Sequence, residues 1–291
     1  MKIRFSDNKR IFNEHTDGIP YVSFDMFDKM GIPNLYSTRF ISWDEESGRG
    51  VEGIRTAVMK TDDLSEAAPV CRANRDMLAH QLGSSVSMEL ATDQKHTNNV
   101  YVATRKEDLG VAPVGPSALH RQFVDGIVTD IPDALLTAFG GDCPPVYIID
   151  PVRKAAGLVH AGWKGTLAKI PQVAIAQMMV KLGCDPADMY AAIGPGVCKD
   201  CYEMGDEVYD AFAEQWGRED ADRLLSRYPG GKYHLDLREA NRLTLLRAGI
   251  PAGHIEVSNI CTMCNVDTFY SYRGRRLENE QVAMLVNHWE K

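Results

Sequence analysis

Short runs of apolar, β-branched and aromatic residues recur along the chain from Val100 onward. Runs of this length and composition, separated by turn residues, are typical of buried β-strands. Three of these runs follow one another after short turns, which favours antiparallel hairpins. The predicted strands are Val100–Thr104, Leu135–Phe139, Val146–Ile149, Ala156–Val159, Met189–Ile193 and Ile255–Val257, and the run of three begins at Leu135.

Other stretches have helical spacing. The clearest pattern recurs at spacings of three and four residues, so its members share one face of a helix, and Gly183 then ends it: Leu167, Ile170, Ala174 and Met178. Pro171 lies inside this pattern and lacks a backbone donor, so either the first turn is kinked or the regular helix begins only near Ile170.

Two more helices are predicted, over Tyr202–Trp216 and Asp236–Ala248. Strands and helices together predict a mixed α/β class, in which strict alternation of strand and helix is not kept. No repeat or linker of useful length divides the sequence, so we expect a single domain over residues 1–291.

Composition and charge narrow the function. The chain has 291 residues, of which 44% are hydrophobic and 25% are charged, as in ordinary folded proteins. The net charge of −8 would repel a phosphate backbone, which argues against nucleic acid as a partner. No secretory signal and no apolar run of membrane-spanning length follows Met1, so we expect a soluble cytoplasmic protein without a membrane partner. The sequence does not indicate an oligomeric state.

Three predicted loops carry ligand types that suit a soft metal. His96 precedes a strand, Cys143 follows one, and His160 lies at a turn from strand to helix. One thiolate and two imidazoles suit zinc, and three protein ligands leave a fourth position for water or substrate. Spacing alone leaves the alternative open that His96 is a polar surface residue and Cys143 a buried thiol.

The sequence also contains two Cys-x-x-Cys pairs, Cys198–Cys201 and Cys261–Cys264. Together they have the ligands of a structural zinc site, but they are farther apart than the pairs of a zinc ribbon. They would have to meet through the fold. The alternative is that all four are partly buried thiols without a metal.

Several motifs in order resemble one known family. The sequence is similar to the family first called multicopper polyphenol oxidases or laccase-domain proteins, whose members are also described as peptidoglycan editing factors and as purine nucleoside phosphorylases with adenosine deaminase activity. The pair Gly-Asp-Cys and His-Ala-Gly-Trp is the most specific part of the resemblance. The motifs are Ser37–Arg39, Gln94–His96, Gly140–Cys143, His160–Gly165, Ile193–Gly196, Cys201–Glu203 and Cys261–Thr262.

The resemblance implies a layered α/β/α fold and a catalytic zinc held by His96, Cys143 and His160. It further implies phosphorolysis of adenosine, inosine, guanosine and methylthioadenosine, and deamination of adenosine. For these reactions we expect Arg39 and Lys164 to bind phosphate. Asp142, beside Cys143, either shuttles protons or caps its own turn.

Three other functions compete with this interpretation. The first is a copper-dependent polyphenol oxidase, which the older family name suggests, although the eight histidines are scattered and form no His-x-His pair. The second is a non-catalytic scaffold in which the Cys-x-x-Cys pairs hold the metal. The third is a metal-free hydrolase with Cys143 as nucleophile and His160 as base.

Overall fold

The computed structural model of the protein describes residues 1, 3–9, 11–44, 46–47, 49–57, 63–110, 123–228, 230–275 and 279–289. Its strands are, in chain order, β1 (Phe12–His15), β2 (Tyr21–Phe24), β3 (Asn34–Ser37), β4 (Phe40–Asp44), β5 (Arg49–Glu52), β6 (Glu89–Ala91), β7 (Val100–Ala103), β8 (Gly126–Thr129), β9 (Leu135–Gly140), β10 (Pro145–Asp150), β11 (Ala155–His160), β12 (Tyr190–Ile193), β13 (Glu203–Met204), β14 (Leu225–Arg227), β15 (Tyr233–Leu235), β16 (Ile255–Val257) and β17 (Gln281–Val286). Its helices are α1 (Asp25–Lys29), α2 (Leu64–Gln81), α3 (Trp163–Leu167), α4 (Ile170–Gln177), α5 (Asp206–Trp216), α6 (Arg218–Leu224), α7 (Leu237–Arg247) and α8 (Tyr272–Arg275).

Within the described residues, two six-stranded sheets form the centre of the fold. The first has the strand order β1-β2-β3-β17-β9-β6, and the second has the order β16-β12-β10-β11-β8-β7. Most neighbours are antiparallel, but β6 runs parallel to β9, β7 runs parallel to β8, and β12 runs parallel to β16. Both sheets are therefore mixed.

The two sheets pack face to face over an apolar core. The first sheet contributes Phe24, Tyr36 and Leu136, and the second contributes Tyr147 and Leu158, each at most 1% exposed. Removing a large apolar side chain from water stabilises a fold by about 1.5–3 kcal/mol. This shared core fixes the second sheet, whose edge carries the candidate site.

Helices cover the outer faces of the two sheets. Leu78 of α2 packs on the first sheet beside Leu35, and Ala174 of α4 packs on the second beside Ile148 and Ile193. The mixed, layered α/β class is confirmed, and its β layer consists of two stacked sheets. The prediction of one domain over residues 1–291 stays a prediction.

The predicted hairpins are only partly correct. β10 and β11 pair antiparallel, with Pro145 opposite His160, as expected. β9 instead pairs with β17 and β6 in the first sheet. The prediction was wrong for β9 because its partners come from distant parts of the chain, and Gly141–Pro144 carry the chain from one sheet to the other.

Helix boundaries follow the local chemistry. α3 ends at Leu167, Lys169 adopts a left-handed φ of 59°, and Pro171 lies in the first turn of α4. The regular helix therefore begins at Ile170, one of the two alternatives. A π-helical turn continues α4 to Gly183, whose φ is +69°.

The other two predicted helices have different outcomes. α7 lies inside Asp236–Ala248 as predicted, and the Asp236 side chain accepts a hydrogen bond from the Glu239 amide that caps it. α5 begins only at Asp206, so the prediction was wrong for Tyr202 to Gly205, where the chain pairs as β13 instead. In the described part of the chain, no helix combines the length and apolar character needed to traverse a bilayer.

Candidate metal centre

The loops that carry the three predicted ligands lie together at one end of the strands of the second sheet. β10 begins just after Cys143, β11 ends at His160, and β7 begins shortly after His96. Because antiparallel neighbours run in opposite directions, the start of β10 lies beside the end of β11. β8, the next strand, starts at this same edge with β7 parallel to it. The fold thus brings distant loops together.

The ligand atoms of His96, Cys143 and His160 all lie within 4.8 Å of one another. The distance from Cys143 Sγ to His96 Nε2 is 3.9 Å. The imidazole rings of the two histidines have centroids 4.9 Å apart and are nearly perpendicular, at 79°. In a tetrahedral zinc site a nitrogen and a sulfur ligand are about 3.6 Å apart, so small side-chain shifts suffice to hold one ion.

Asp125 organises this centre, and the sequence analysis did not identify it. The residue is fully buried at the start of β8. Its Oδ1 accepts hydrogen bonds from His160 Nδ1 and from the His96 amide, both at 2.9 Å. Its Oδ2 accepts from the amides of Lys95 at 3.0 Å and Thr97 at 2.8 Å. One carboxylate therefore holds two of the three candidate ligands.

The Asp125 contact decides which nitrogen of His160 faces a metal. A carboxylate only accepts, so Nδ1 keeps a proton toward Asp125, and Nε2 is the nitrogen at which a metal would replace a proton. The same carboxylate holds the loop of His96, whose φ of 59° lies in the left-handed region. Carboxylate–histidine pairs of this kind commonly orient metal ligands.

Charge within the centre favours the ligand form of the thiol. Burial raises the pKa of Cys143, but the imidazoles of His160 and His96 outweigh burial and lower it. Burial lowers the pKa of His160, but the Cys143 thiolate and Asp125 raise it well above its ordinary value. Burial likewise opposes ionisation of Asp125, yet hydrogen bonds and the charge of His160 bring its pKa to about 2. A thiolate is the form that binds a metal.

Gly162 packs its backbone directly against the candidate ligands. A Cβ at this position would lie 2.8 Å from His96 Cδ2 and 2.9 Å from Cys143 Sγ. Any side chain here would collide with two of the candidate ligands, so the close approach requires glycine. The main chain after His160 can thus pass directly beside the centre.

The Asp142 carboxylate is held by hydrogen bonds from residues outside the set of three ligands. Its φ is 97°, and its side chain is 4% exposed. Oδ1 accepts from Thr262 Oγ1 at 2.6 Å and Ser271 Oγ at 2.7 Å, and Oδ2 accepts from the Arg273 amide at 2.7 Å. These contacts favour the structural alternative, in which Asp142 fixes its loop. A role in proton transfer stays a prediction.

The two residues expected to bind phosphate have different surroundings. The Arg39 guanidinium donates to the Val266 carbonyl at 2.7 Å and to Glu52 Oε2 at 2.6 Å. Its buried Nε has no hydrogen-bond partner among the described residues. Lys164 is exposed, and its Nζ lies 5.6 Å from the centroid of the Trp163 ring. The phosphate contacts of both residues stay predictions.

Residues 57–286 match the family described as "Multi-copper polyphenol oxidoreductase laccase". The chain belongs to this family. The matched segment contains His96, Cys143 and His160 as well as both Cys-x-x-Cys pairs, whereas Arg39 precedes it. The resemblance drawn from the sequence motifs is confirmed.

Relatives within the family are named for two reactions. The chain is 34% identical over 200 residues to "Purine nucleoside phosphorylase YlmD" of Bacillus subtilis, covering 69% of this chain and 70% of that protein. It is 33% identical over 197 residues to "Adenosine deaminase RL5" of an unknown prokaryotic organism, covering 67% and 73%. The crystal structure of YlmD from Geobacillus stearothermophilus superimposes with a TM-score of 0.77 at 27% identity, covering 97% of this chain and all of that one.

The names of the family and of its relatives thus cover three chemistries: phosphorolysis, deamination and phenol oxidation. All three are enzymatic, so the family is one of enzymes. Their names alone do not select among these reactions for this chain. The choice among the three reactions depends on the donor atoms of the site and on the residues around them.

Proposed function

We propose that the protein is a zinc-dependent purine nucleoside phosphorylase that also deaminates adenosine. Its substrates would be adenosine, inosine, guanosine and methylthioadenosine, with phosphate as the second substrate of phosphorolysis. The observation that carries the proposal is the convergence of the His96, Cys143 and His160 ligand atoms to within 4.8 Å. The names of the relatives support the choice of substrate class.

The donor set fits a catalytic rather than a structural zinc. Two imidazoles and one thiolate leave the fourth tetrahedral position for water or substrate. A zinc ion bound in such a site would act as a Lewis acid and would lower the pKa of a water molecule bound to it toward about 7. Asp125 holds His160 with Nε2 free, which is the orientation that this role needs.

The residues around the donors would bind and position the substrates. Gly162 lets the main chain pass against His96 and Cys143 without a side-chain clash, so the two donors keep their positions. Lys164 follows on the same turn, is exposed, and would place its charge on phosphate. Arg39 would add a second cation, provided that its buried Nε turns toward the anion. Trp163 packs partly against the neighbouring apolar cluster, which favours a packing role over base stacking.

Copper is the alternative metal, and phenol oxidation is the alternative reaction. A site of two histidines and one cysteine also occurs in copper proteins. Reduction of dioxygen by copper oxidases needs several metals and many imidazoles. Among the described residues, only one candidate metal-binding group contains histidine. We therefore propose zinc and nucleoside chemistry.

The test is product analysis with a ligand variant. Purified zinc-loaded protein should convert inosine and phosphate to hypoxanthine and ribose 1-phosphate, and adenosine to inosine without phosphate. Cys143→Ala should abolish both reactions, whereas Cys184→Ala, which removes a buried thiol elsewhere, should retain them. Undiminished turnover by Cys143→Ala would refute the ligand assignment. Phenol oxidation proportional to bound copper, with no nucleoside products, would refute the proposed reaction.

A further inference from the structure

We propose that Cys198, Cys201, Cys261 and Cys264, here called the four-cysteine cluster, bind a structural zinc ion. This second site is separate from the His96–Cys143–His160 centre and does not depend on the function proposed for it. The reasons lie in the distances between the sulfur atoms, the topology that joins the two pairs, and the hydrogen bonds to sulfur.

The four sulfur atoms lie within 4.8 Å of one another. Cys201 Sγ and Cys264 Sγ are 3.6 Å apart. In tetrahedral zinc sites with four thiolates, neighbouring sulfurs are about 3.8 Å apart, so this spacing suits a shared ion. A disulfide would need a separation of about 2.05 Å, and all four residues are free cysteines. Four free cysteine sulfurs within one coordination distance are the donor set of a structural zinc.

The sheet explains how two pairs so distant in sequence meet. β12 and β16 are parallel neighbours, so their carboxyl ends lie at the same edge. The first pair follows β12 and the second follows β16. Beyond the strands, Gly196 forms an isolated bridge with Cys261, and the Thr262 amide donates to the Gly196 carbonyl at 3.2 Å. The backbone therefore sets the distance between the pairs before any metal binds.

Backbone amides point at one of the sulfurs. Cys261 Sγ accepts hydrogen bonds from the Cys198 amide at 3.2 Å and from the Cys264 amide at 3.4 Å. The first joins the two pairs, and the second closes the turn within a pair. Amide donors stabilise the charged form of a thiol, which is the form that binds zinc. Such bonds to sulfur support metal ligands in the same way that Asp125 supports His160.

Four protein ligands would close the coordination sphere, so the role is structural. The position of the cluster indicates what it stabilises. Thr262, next to Cys261, donates to Asp142, and Asp142 precedes Cys143 in the catalytic loop. The Val197 amide, next to Cys198, donates to the Asp142 carbonyl at 2.9 Å. A zinc ion in the cluster would hold both loops against the catalytic loop.

Zinc content of variants tests the proposal. Protein purified anaerobically with zinc should contain two ions per chain by mass spectrometry of the metal. Cys143→Ala should lose one, and the double variant Cys198→Ser, Cys201→Ser should lose the other, whereas Cys184→Ala should keep both. A double variant with the same zinc content as the parent protein would overturn the proposal. Activity is not part of this readout, so failure of the nucleoside chemistry would leave the result unaffected.

A second measurement covers the case in which the double variant does not fold. Cobalt(II) added to metal-free Cys143→Ala should give the absorption of tetrahedral cobalt with four thiolates, because only the four-cysteine cluster remains intact. Cys264→Ser, which changes the one exposed member of the cluster, should weaken this absorption in the same background. Absence of the tetrathiolate absorption in Cys143→Ala would overturn the proposal. So would disulfides between these cysteines in anaerobically purified, zinc-treated protein.

Discussion

The candidate metal centre and the four-cysteine cluster lie at the same end of the strands of one sheet but differ in their donors. The centre offers two imidazoles and one thiolate, oriented by the buried carboxylate of Asp125. The cluster offers four cysteine sulfurs, one of which accepts hydrogen bonds from two backbone amides. Three ligands leave room for a reactant, whereas four do not. The number and kind of ligands, rather than their position in the fold, separate a reactive site from a structural one.

The two sites are also joined. Asp142 precedes the candidate ligand Cys143, and its carboxylate accepts a hydrogen bond from the side chain of Thr262, which follows Cys261 of the cluster. We therefore expect changes at the centre to affect turnover with little loss of stability. Changes at the cluster should chiefly affect stability, and reach turnover only through this contact.

Removal of metal should give the largest effect. A chelator in mild excess should take the ion from the open, partly exposed centre first, and turnover should fall to background with the first zinc released. The tetrathiolate site should release its ion only later, together with a fall in melting temperature. Parallel measurement of zinc release, turnover and melting temperature checks this order. Simultaneous loss of both ions would contradict the proposed difference between an open site with three ligands and a closed site with four.

Asp125→Asn should give the next largest effect. The substitution keeps the shape and one acceptor oxygen, but its NH₂ must face one of the two sets of donors, either His160 and the His96 amide or the amides of Lys95 and Thr97. The anchor of the ligand loops is weakened in either orientation. Loss of such a partner typically lowers metal affinity or activity by about 10–100-fold. Zinc titration and turnover at saturating zinc measure the two quantities separately.

Asp150→Asn is the matched control for Asp125→Asn. Asp150 is equally buried, also accepts backbone amides, and lies at the opposite end of β10 from the Cys143 loop. This control should keep zinc affinity unchanged. Equal losses of zinc affinity in both variants would mean that Asp125 acts only through general stability.

Cys264→Ser should lower stability more than turnover, which is the reverse of the effect that we expect for changes at the centre. The variant removes one ligand of the cluster, so the stabilisation that a bound ion adds to the folded state should decrease. We expect a clear drop in melting temperature in the presence of zinc but only a few-fold drop in turnover at a permissive temperature. Calorimetry with and without zinc measures the difference. A melting temperature that zinc shifts equally in variant and parent would contradict the assignment.

Thr262→Val should give the smallest effect. The change keeps the shape and removes one hydrogen bond to the Asp142 carboxylate, which retains Ser271 and the Arg273 amide. Loss of one such bond should lower the free energy of unfolding by about 1–2 kcal/mol. Denaturant unfolding measures this quantity. Turnover of Thr262→Val should fall slightly if the contact couples the two sites, and Thr244→Val, a buried threonine in α7, should leave turnover unchanged.

Residue types and local patterns marked His96, Cys143 and His160 as possible ligands, and the family resemblance joined them into one predicted site. The runs around Val146 and Ala156 are long and apolar enough to mark buried strands, and cysteine and histidine are rare enough in loops to stand out. The same local patterns did not indicate that β9 belongs to the other sheet, because its partners β6 and β17 lie far away in sequence.

The role of Asp125 could not be predicted from the sequence. Nothing in its immediate sequence separates it from other aspartates, and its role comes from the position of β8 between β7 and β11. The four-cysteine cluster could be predicted from the sequence only in part. Its Cys-x-x-Cys pairs are visible in the sequence, but their meeting depends on the parallel pairing of β12 with β16. The sequence thus shows which residues could be ligands, whereas the order of the strands decides which of these residues meet.

The most direct test of the central claim is a crystal soaked with inosine and phosphate and measured at the zinc absorption edge. We expect an anomalous peak about 2.0–2.1 Å from His96 Nε2 and His160 Nε2 and about 2.3 Å from Cys143 Sγ, with the nucleoside beside the open coordination position of the zinc. A zinc-loaded crystal with no peak among these three residues, or with the nucleoside bound away from them, would contradict it.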